Sequence, residues 1–255
     1  MALNGLRWGP ASGGTPRQLV VVCHGVGADG HDVIDLAPSW AHALPDALWV
    51  APHGPEPYDV MPGQGFGRQW FSLQDRAPAM LEAGARRAAP LLDAYVAAEL
   101  ERLGLPADAV ALAGFSQGAM MVLHAGLRRR PPPRGILAYS GALLDTPALA
   151  RECSGHAPVL LVHGELDEVV PFARGPAAET ALRRLGMPVQ TLWCPGVGHS
   201  IDDAGIATGA LFLQRLFASQ ASATPAKRLQ PVLTLRRDEG MTNAAAACRC
   251  RSRMR

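Results

Sequence analysis

The chain has 255 residues, 48% of them hydrophobic and 18% charged, with a formal net charge of +2. This composition excludes a disordered chain, allows one sizeable domain with a real core, and gives no charge-based case for nucleic acid as a partner. No apolar run approaches the ~20 residues that span a bilayer, and Met1 to Thr15 has neither the basic start nor the apolar stretch of a secretory signal, which points to the cytoplasm.

The first strand signal is Leu19-Val20-Val21-Val22-Cys23, which is β-branched, continuous and bounded by Gly25, as expected of a strand buried on both faces. Ile34 to Leu44 can form a short helix, and Leu48 to Ala51 reads as a second strand stopped by Pro52. A helix is expected from Pro90 to Leu103. Leu91, Leu92, Tyr95, Val96, Leu100 and Leu103 recur at helical spacing, Pro90 suits a first turn, and Gly104 lies just past the end. The alternation then repeats. Val110 to Ala113 is a strand and Gln117 to Arg129 a helix, and two strands follow at Gly135 to Tyr139 and Val159 to His163. Phe172 to Leu185 is a helix, Val189 to Cys194 a strand, and Asp203 to Ala218 a last helix. Strands separated by helices of this length imply a mostly parallel sheet with right-handed crossovers and helices on both faces, an α/β fold.

The pattern stops near Ser219. The expected organisation is therefore one α/β domain over residues 1–219 and a basic, disordered tail over 220–255. From Lys227 onward the chain carries eight Lys or Arg against Asp238 and Glu239, leaving 16 basic and 20 acidic residues before it. Weak binding of polyanions is the functional alternative for that tail. Five cysteines (Cys23, Cys153, Cys194, Cys248 and Cys250), an odd number without a secretion signal, read as free thiols. The C-x-C pair of Cys248 and Cys250 has no second pair or nearby histidine, so no metal site is expected there.

Gly114-Phe115-Ser116-Gln117-Gly118 matches G-x-S-x-G, the nucleophile elbow. Such a serine must sit on a strained turn between strand and helix so that its Oγ projects above the sheet, and the small flanking residues let strand and helix approach closely. The strand before Ser116 and the helix after it supply that context. A hydroxyl nucleophile needs a base, and in this architecture its partners follow in the order serine, acid, histidine. His199, in the Gly-rich loop Pro195-Gly196-Val197-Gly198-His199-Ser200, lies beyond the candidate acids, whereas His124 falls on the helix behind Ser116 and cannot face its Oγ. Among Glu165, Asp167 and Glu168, Asp167 is the expected acid, because a turn opening at Gly164 aims the third residue back over the sheet. Asp202 and Asp203 read as N-terminal residues of the last helix.

Two backbone donors should meet the developing oxyanion. One is the amide of Gln117, and the other comes from the loop His24-Gly25-Val26-Gly27-Ala28-Asp29-Gly30, where Val26 is the expected donor. Gly25, Gly27 and Gly30 also fit G-x-G-x-x-G formally, but no acid follows at the end of the next strand, which argues against a dinucleotide site.

With these residues the loop 24–30, Arg68-Gln69-Trp70-Phe71-Ser72, the elbow, His163-Gly164-Glu165-Leu166-Asp167-Glu168-Val169-Val170-Pro171 and Gly198-His199 together resemble the phospholipase/carboxylesterase family, which includes bacterial carboxylesterases and acyl-protein thioesterases. The resemblance covers about residues 5 to 218. It implies the α/β-hydrolase fold, Ser116, Asp167 and His199 as a triad, oxyanion amides at Val26 and Gln117, and no metal or organic cofactor. It also implies that Trp70 and Phe71 line the acyl or entrance groove, although a Trp-Phe pair by itself reads more readily as core. The expected activity is hydrolysis of a small-molecule carboxylic ester or thioester through an acyl-enzyme. An amidase or peptidase on the same scaffold and a catalytically silent binding protein stay open as alternatives, as does a homodimer.

Overall fold

Short β-branched runs make strands here because each is covered on both faces by helices, which removes the need for polar alternation. The computed structural model describes residues 2–59 and 67–221. Its elements begin with β1 (Gly5–Trp8), β2 (Gln18–Cys23), α1 (Gly30–Ile34), α2 (Leu36–Trp40), β3 (Ala47–Pro52), β4 (Glu56–Pro57) and β5 (Arg68–Gln69). The long helix α3 (Pro78–Leu103) is followed by β6 (Val110–Phe115), α4 (Gln117–Gly126), β7 (Gly135–Tyr139) and α5 (Leu149–Glu152). The chain then forms β8 (Val159–Gly164), α6 (Arg174–Arg184), β9 (Val189–Cys194) and α7 (Asp203–Ala221). Seven strands form one sheet in the order β1-β3-β2-β6-β7-β8-β9. All its pairings are parallel except the β1–β3 edge pair. This is the α/β-hydrolase architecture.

Two apolar cores lie on the two faces of this sheet. One gathers Leu19, Val21, Leu112 and Ile136 under residues of α3, α4 and α6. The other gathers Val20, Val22, Ala111 and Leu137 under Trp40 of α2 and Leu213 and Phe217 of α7. The alternation within β2 is therefore a division between two cores.

The expected helix over Ile34 to Leu44 is instead two short ones. Asp29 starts the first early: its side chain accepts the His31 amide, while Asp32 accepts the Asp29 amide in a reciprocal cap. The expected helix from Pro90 begins twelve residues sooner, at Pro78, which occupies its first turn. Pro90 lies inside α3 on its exposed side, so the carbonyl it leaves without an amide partner faces water. Gly104 ends α3 at φ +64°, as its position in the sequence indicates. At the other end of the domain α7 runs to Ala221, and the rest of the expected tail, with Cys248 and Cys250, lies outside the described residues. No helix among the described residues is long and apolar enough to cross a membrane.

Candidate active site

At the end of β6 the chain turns into α4 with almost no connecting residues. Ser116 takes that turn at φ 56° and ψ −119°, a backbone conformation that costs a non-glycine residue on the order of 1–3 kcal/mol. The strain is held in place by close crossing. A Cβ on Gly118 would stand 2.1 Å from the Cys23 carbonyl oxygen, and one on Gly114 would stand 2.4 Å from Gly118. The Ser116 amide also donates to the Tyr139 carbonyl at 2.9 Å. Its side chain thus projects from the carboxyl ends of the strands, where open α/β sheets place their ligands.

The loops after β8 and β9 bring two further side chains to it. His199 Nε2 is 3.0 Å from Ser116 Oγ, and His199 Nδ1 is 2.7 Å from Asp167 Oδ2. The other oxygen of Asp167 accepts the Val169 and Val170 amides at 2.9 and 2.8 Å. Burial pushes the Asp167 carboxyl up, but the His199 hydrogen bond and these amides outweigh it and hold the group below the usual carboxylate range. Glu165 and Glu168, the alternative acids, are exposed on the same loop. Phe115 packs on His199 with ring centres 4.7 Å apart.

A residue not singled out by the sequence also touches this arrangement. His163, buried at the end of β8, places Nε2 2.8 Å from the Val170 carbonyl and 3.3 Å from Asp167 Oδ2. Both neighbours are acceptors, so Nε2 carries the proton. The signal was the strand-end position in His163-Gly164, four residues before Asp167.

The loop expected to supply the second oxyanion donor is braced from three directions. Gly25 packs against the serine: a Cβ there would meet Ser116 Cβ at 3.2 Å. The Gly27 amide donates to the Arg68 carbonyl and the Arg68 amide to the Ala28 carbonyl, at 2.9 and 3.0 Å. His24 is buried, accepts the Gly54 amide on Nε2 at 2.8 Å and donates from Nδ1 to the Gly25 carbonyl at 2.7 Å. Burial lowers its pKa further than that carbonyl raises it, so the imidazole is neutral. The backbone amides of Val26 and Gln117 have no acceptor among the described residues.

Trp70 and Phe71 do not line a groove. They are 0% and 1% exposed. Gln117 reaches over them, its Oε1 accepting the Trp70 amide at 2.9 Å and its Nε2 donating to the Phe71 carbonyl at 2.6 Å. Trp70 Nε1 donates to the His24 carbonyl at 3.0 Å. Burial follows from α3, where Gly84 lets the helix lie directly on Phe71; a Cβ at Gly84 would stand 2.7 Å from that ring's Cβ. The aromatic pair thus braces the loop 24–30 from behind.

Apolar surface that is open lies elsewhere. A cavity of about 320 Å³ is walled by Leu81, Met120, Leu143, Leu144, Val169 and Val170. Met120 is one turn along α4 from Ser116, and Val170 holds Asp167. Leu166 and Val169, on either side of Asp167, are 62% and 58% exposed. A larger hollow of about 830 Å³ lies by Asp108, Arg134, Pro158 and Gln190, at the opposite ends of the strands from Ser116. Asp29, His31 and His53 bring three potential metal-ligand atoms within 4.8 Å of one another. The first of these already caps α1, and His53 Nδ1 accepts the Gly30 amide at 3.2 Å.

Comparisons with known proteins identify the family. Residues 11–217 match the family model for phospholipase/carboxylesterase. An esterase of Escherichia coli K12, YpfH, is 33% identical over 187 residues, covering 73% of this chain and 78% of its own. Acyl-protein thioesterase 1 of Neurospora crassa is 29% identical over 201 residues, covering 71% and 79%. Among solved structures, esterase PE8 superposes with a TM-score of 0.78 at 39% identity, over 85% of this chain and all of that one. SOBER1 of Arabidopsis thaliana, at 23% identity and a TM-score of 0.71, shares the fold over 78% of this chain and 99% of its own.

Proposed function

Because the chain belongs to the phospholipase/carboxylesterase family and is a hydrolase of esters or thioesters, we propose that it works by acyl transfer to Ser116, with His199 as base and Asp167 as the acid that orients it. The observation carrying this reading is the unbroken chain from Ser116 Oγ through His199 to Asp167, at 3.0 and 2.7 Å. His199 Nε2 takes the hydroxyl proton as Oγ attacks the carbonyl carbon, and the amides of Val26 and Gln117 meet the oxyanion. The same imidazole then gives its proton to the departing alcohol or thiol. Water, deprotonated by His199 in turn, attacks the acyl-serine and releases the acid with Ser116 restored.

Asp167 serves by staying ionised. Its hydrogen bond holds the imidazole with the proton on Nδ1 and Nε2 free to accept, and its charge stabilises the imidazolium. The test is hydrolysis of nitrophenyl esters from acetate to palmitate by the wild type and Ser116→Ala. A fall of at least about a thousandfold in kcat is expected for the variant. Substantial activity surviving in Ser116→Ala would remove Ser116 from the chemistry.

A further inference from the structure

We propose that the segment Arg68 to Phe71 sets the spacing between the amides of Val26 and Gln117, and that the Gln117 side chain is the positioning group that ties them together. This rests on the acyl-transfer reading above, in which both amides meet the oxyanion, and adds what holds the two donors to one another.

The amides belong to different parts of the fold, Val26 to the loop after β2 and Gln117 to the first position of α4. Packing of Gly25 on Ser116 limits how closely the loop can approach the serine. Such a contact does not stop the loop from drifting away. Hydrogen bonds to the segment Arg68 to Phe71 supply that opposing restraint. Trp70 Nε1 donates to the His24 carbonyl at 3.0 Å. The Gly27 amide donates to the Arg68 carbonyl at 2.9 Å, and the Arg68 amide donates to the Ala28 carbonyl at 3.0 Å. Residues on both sides of Val26 are therefore held, while its own amide has no acceptor among the described residues. The segment is anchored in turn by the Arg68 guanidinium, which donates to the Gly54 and Pro55 carbonyls at 2.9 and 2.8 Å.

Gln117 grips the same segment from the other side. Its Oε1 accepts the Trp70 amide at 2.9 Å and its Nε2 donates to the Phe71 carbonyl at 2.6 Å. One partner is a main-chain donor and the other a main-chain acceptor, so the side chain must end in both kinds of group. Gln117, Trp70 and Phe71 are all buried, so water does not compete for these bonds and an unpaired group there is costly. The elbow pattern G-x-S-x-G leaves this position open; it is the segment Trp70-Phe71 that calls for glutamine. One residue thus offers a donor through its backbone and, through its side chain, holds the segment that places the other donor. Donors stabilise developing charge only when aimed at it, and a misplacement of about 1 Å can cost about a hundredfold in rate.

The test uses the full chain with octyl trifluoromethyl ketone and octyl methyl ketone. With the first, Ser116 Oγ bonds to the carbonyl carbon, the carbonyl electron pair moves onto oxygen as an oxyanion, and the hydroxyl proton passes to His199 Nε2. The second binds without that addition, so the ratio of the two inhibition constants reads the oxyanion contacts apart from binding of the chain. Gln117→Met, similar in length but unable to hold either main-chain group, is expected to lower this ratio by ~10- to 100-fold. Its kcat for nitrophenyl octanoate should fall by a similar factor with little change in KM. Trp70→Phe, which releases the His24 carbonyl, is expected to lower the ratio several-fold and gives the same reading should Gln117→Met not fold. Leu92→Ala truncates the core that α3 covers and destabilises the domain without touching the segment, so its ratio should match the wild type. A ratio within about twofold of wild type in either folded variant, or an equal fall in Leu92→Ala, overturns the inference. Ester hydrolysis that is lost in Ser116→Ala would then still support the acyl-transfer reading. A wild type with no preference for the trifluoromethyl ketone overturns both.

Discussion

Asp167 divides its two oxygens between different tasks. Oδ1 is held by two backbone amides, which fix the carboxylate in its loop, and Oδ2 is left to face His199 at 2.7 Å. Asp167→Asn can keep this shape yet turn an amide N–H toward Nδ1, which favours the wrong imidazole tautomer. Its kcat is expected to fall by up to about 10⁴ in steady-state assays, and near-normal turnover would place the acid elsewhere. His163 acts at one remove, its Nε2–H shared between the Val170 carbonyl and Oδ2. A hydrogen bond to a charged group contributes ~1.5–3 kcal/mol, so His163→Phe should lower kcat about tenfold or more with little change in KM; an unchanged kcat would make His163 merely a core residue. Ser116, His199 and Asp167 were legible because chain order and loop placement restrict each to few positions. The buried role of Trp70 and Phe71 was not, because it depends on Gly84 and Gln117, which adjoin them only after folding.

Elements place these residues through backbone contacts that leave little tolerance. Where β2, β6 and α4 meet, Gly118 lies against two carbonyls of the Cys23-His24 segment. Gly118→Ala would force β2 and α4 apart, and a loss of ~3 kcal/mol in urea unfolding is expected from such overpacking, together with loss of ester hydrolysis. Full stability in that variant would mean that the crossing can relax. Strand positions were readable in the sequence because two-sided burial writes a continuous apolar run, as in Val110 to Ala113. Short pairs such as β4 and β5 carry no such run: Glu56-Pro57 and Arg68-Gln69 hold no β-branched or aromatic residue, and only their mutual pairing makes them strands. The first half of α3 was hidden because Pro90 looks like a start, when the true first turn is marked by Pro78.

For the molecule as a whole, buried imidazoles contribute to its loss of stability in acid. His124 is 2% exposed, and burial first, then Arg128 and Arg86, depress its pKa to about 4 despite opposing pulls from Glu82 and Glu152. His24 is shifted in the same direction by burial. The unfolded chain therefore takes up these protons first as pH falls. Stability is fully present above the unfolded value of ~6.5, declines as pH drops toward 4, and for His124 alone the loss amounts to about 3 kcal/mol. Urea midpoints measured between pH 7.5 and 4 should fall accordingly, and His124→Gln should flatten the curve; an equally steep curve would assign the loss to other groups. Cys23 closes the strand that leads into the loop 24–30, with none of its surface exposed and its thiol pushed far up by burial. It is thereby a natural clock. A thiol-labelling reagent can mark it only during moments when β2 opens, whereas the half-buried Cys153 is marked without such an opening. The mass gained at Cys23 over hours would count excursions of the sheet centre that no activity assay registers.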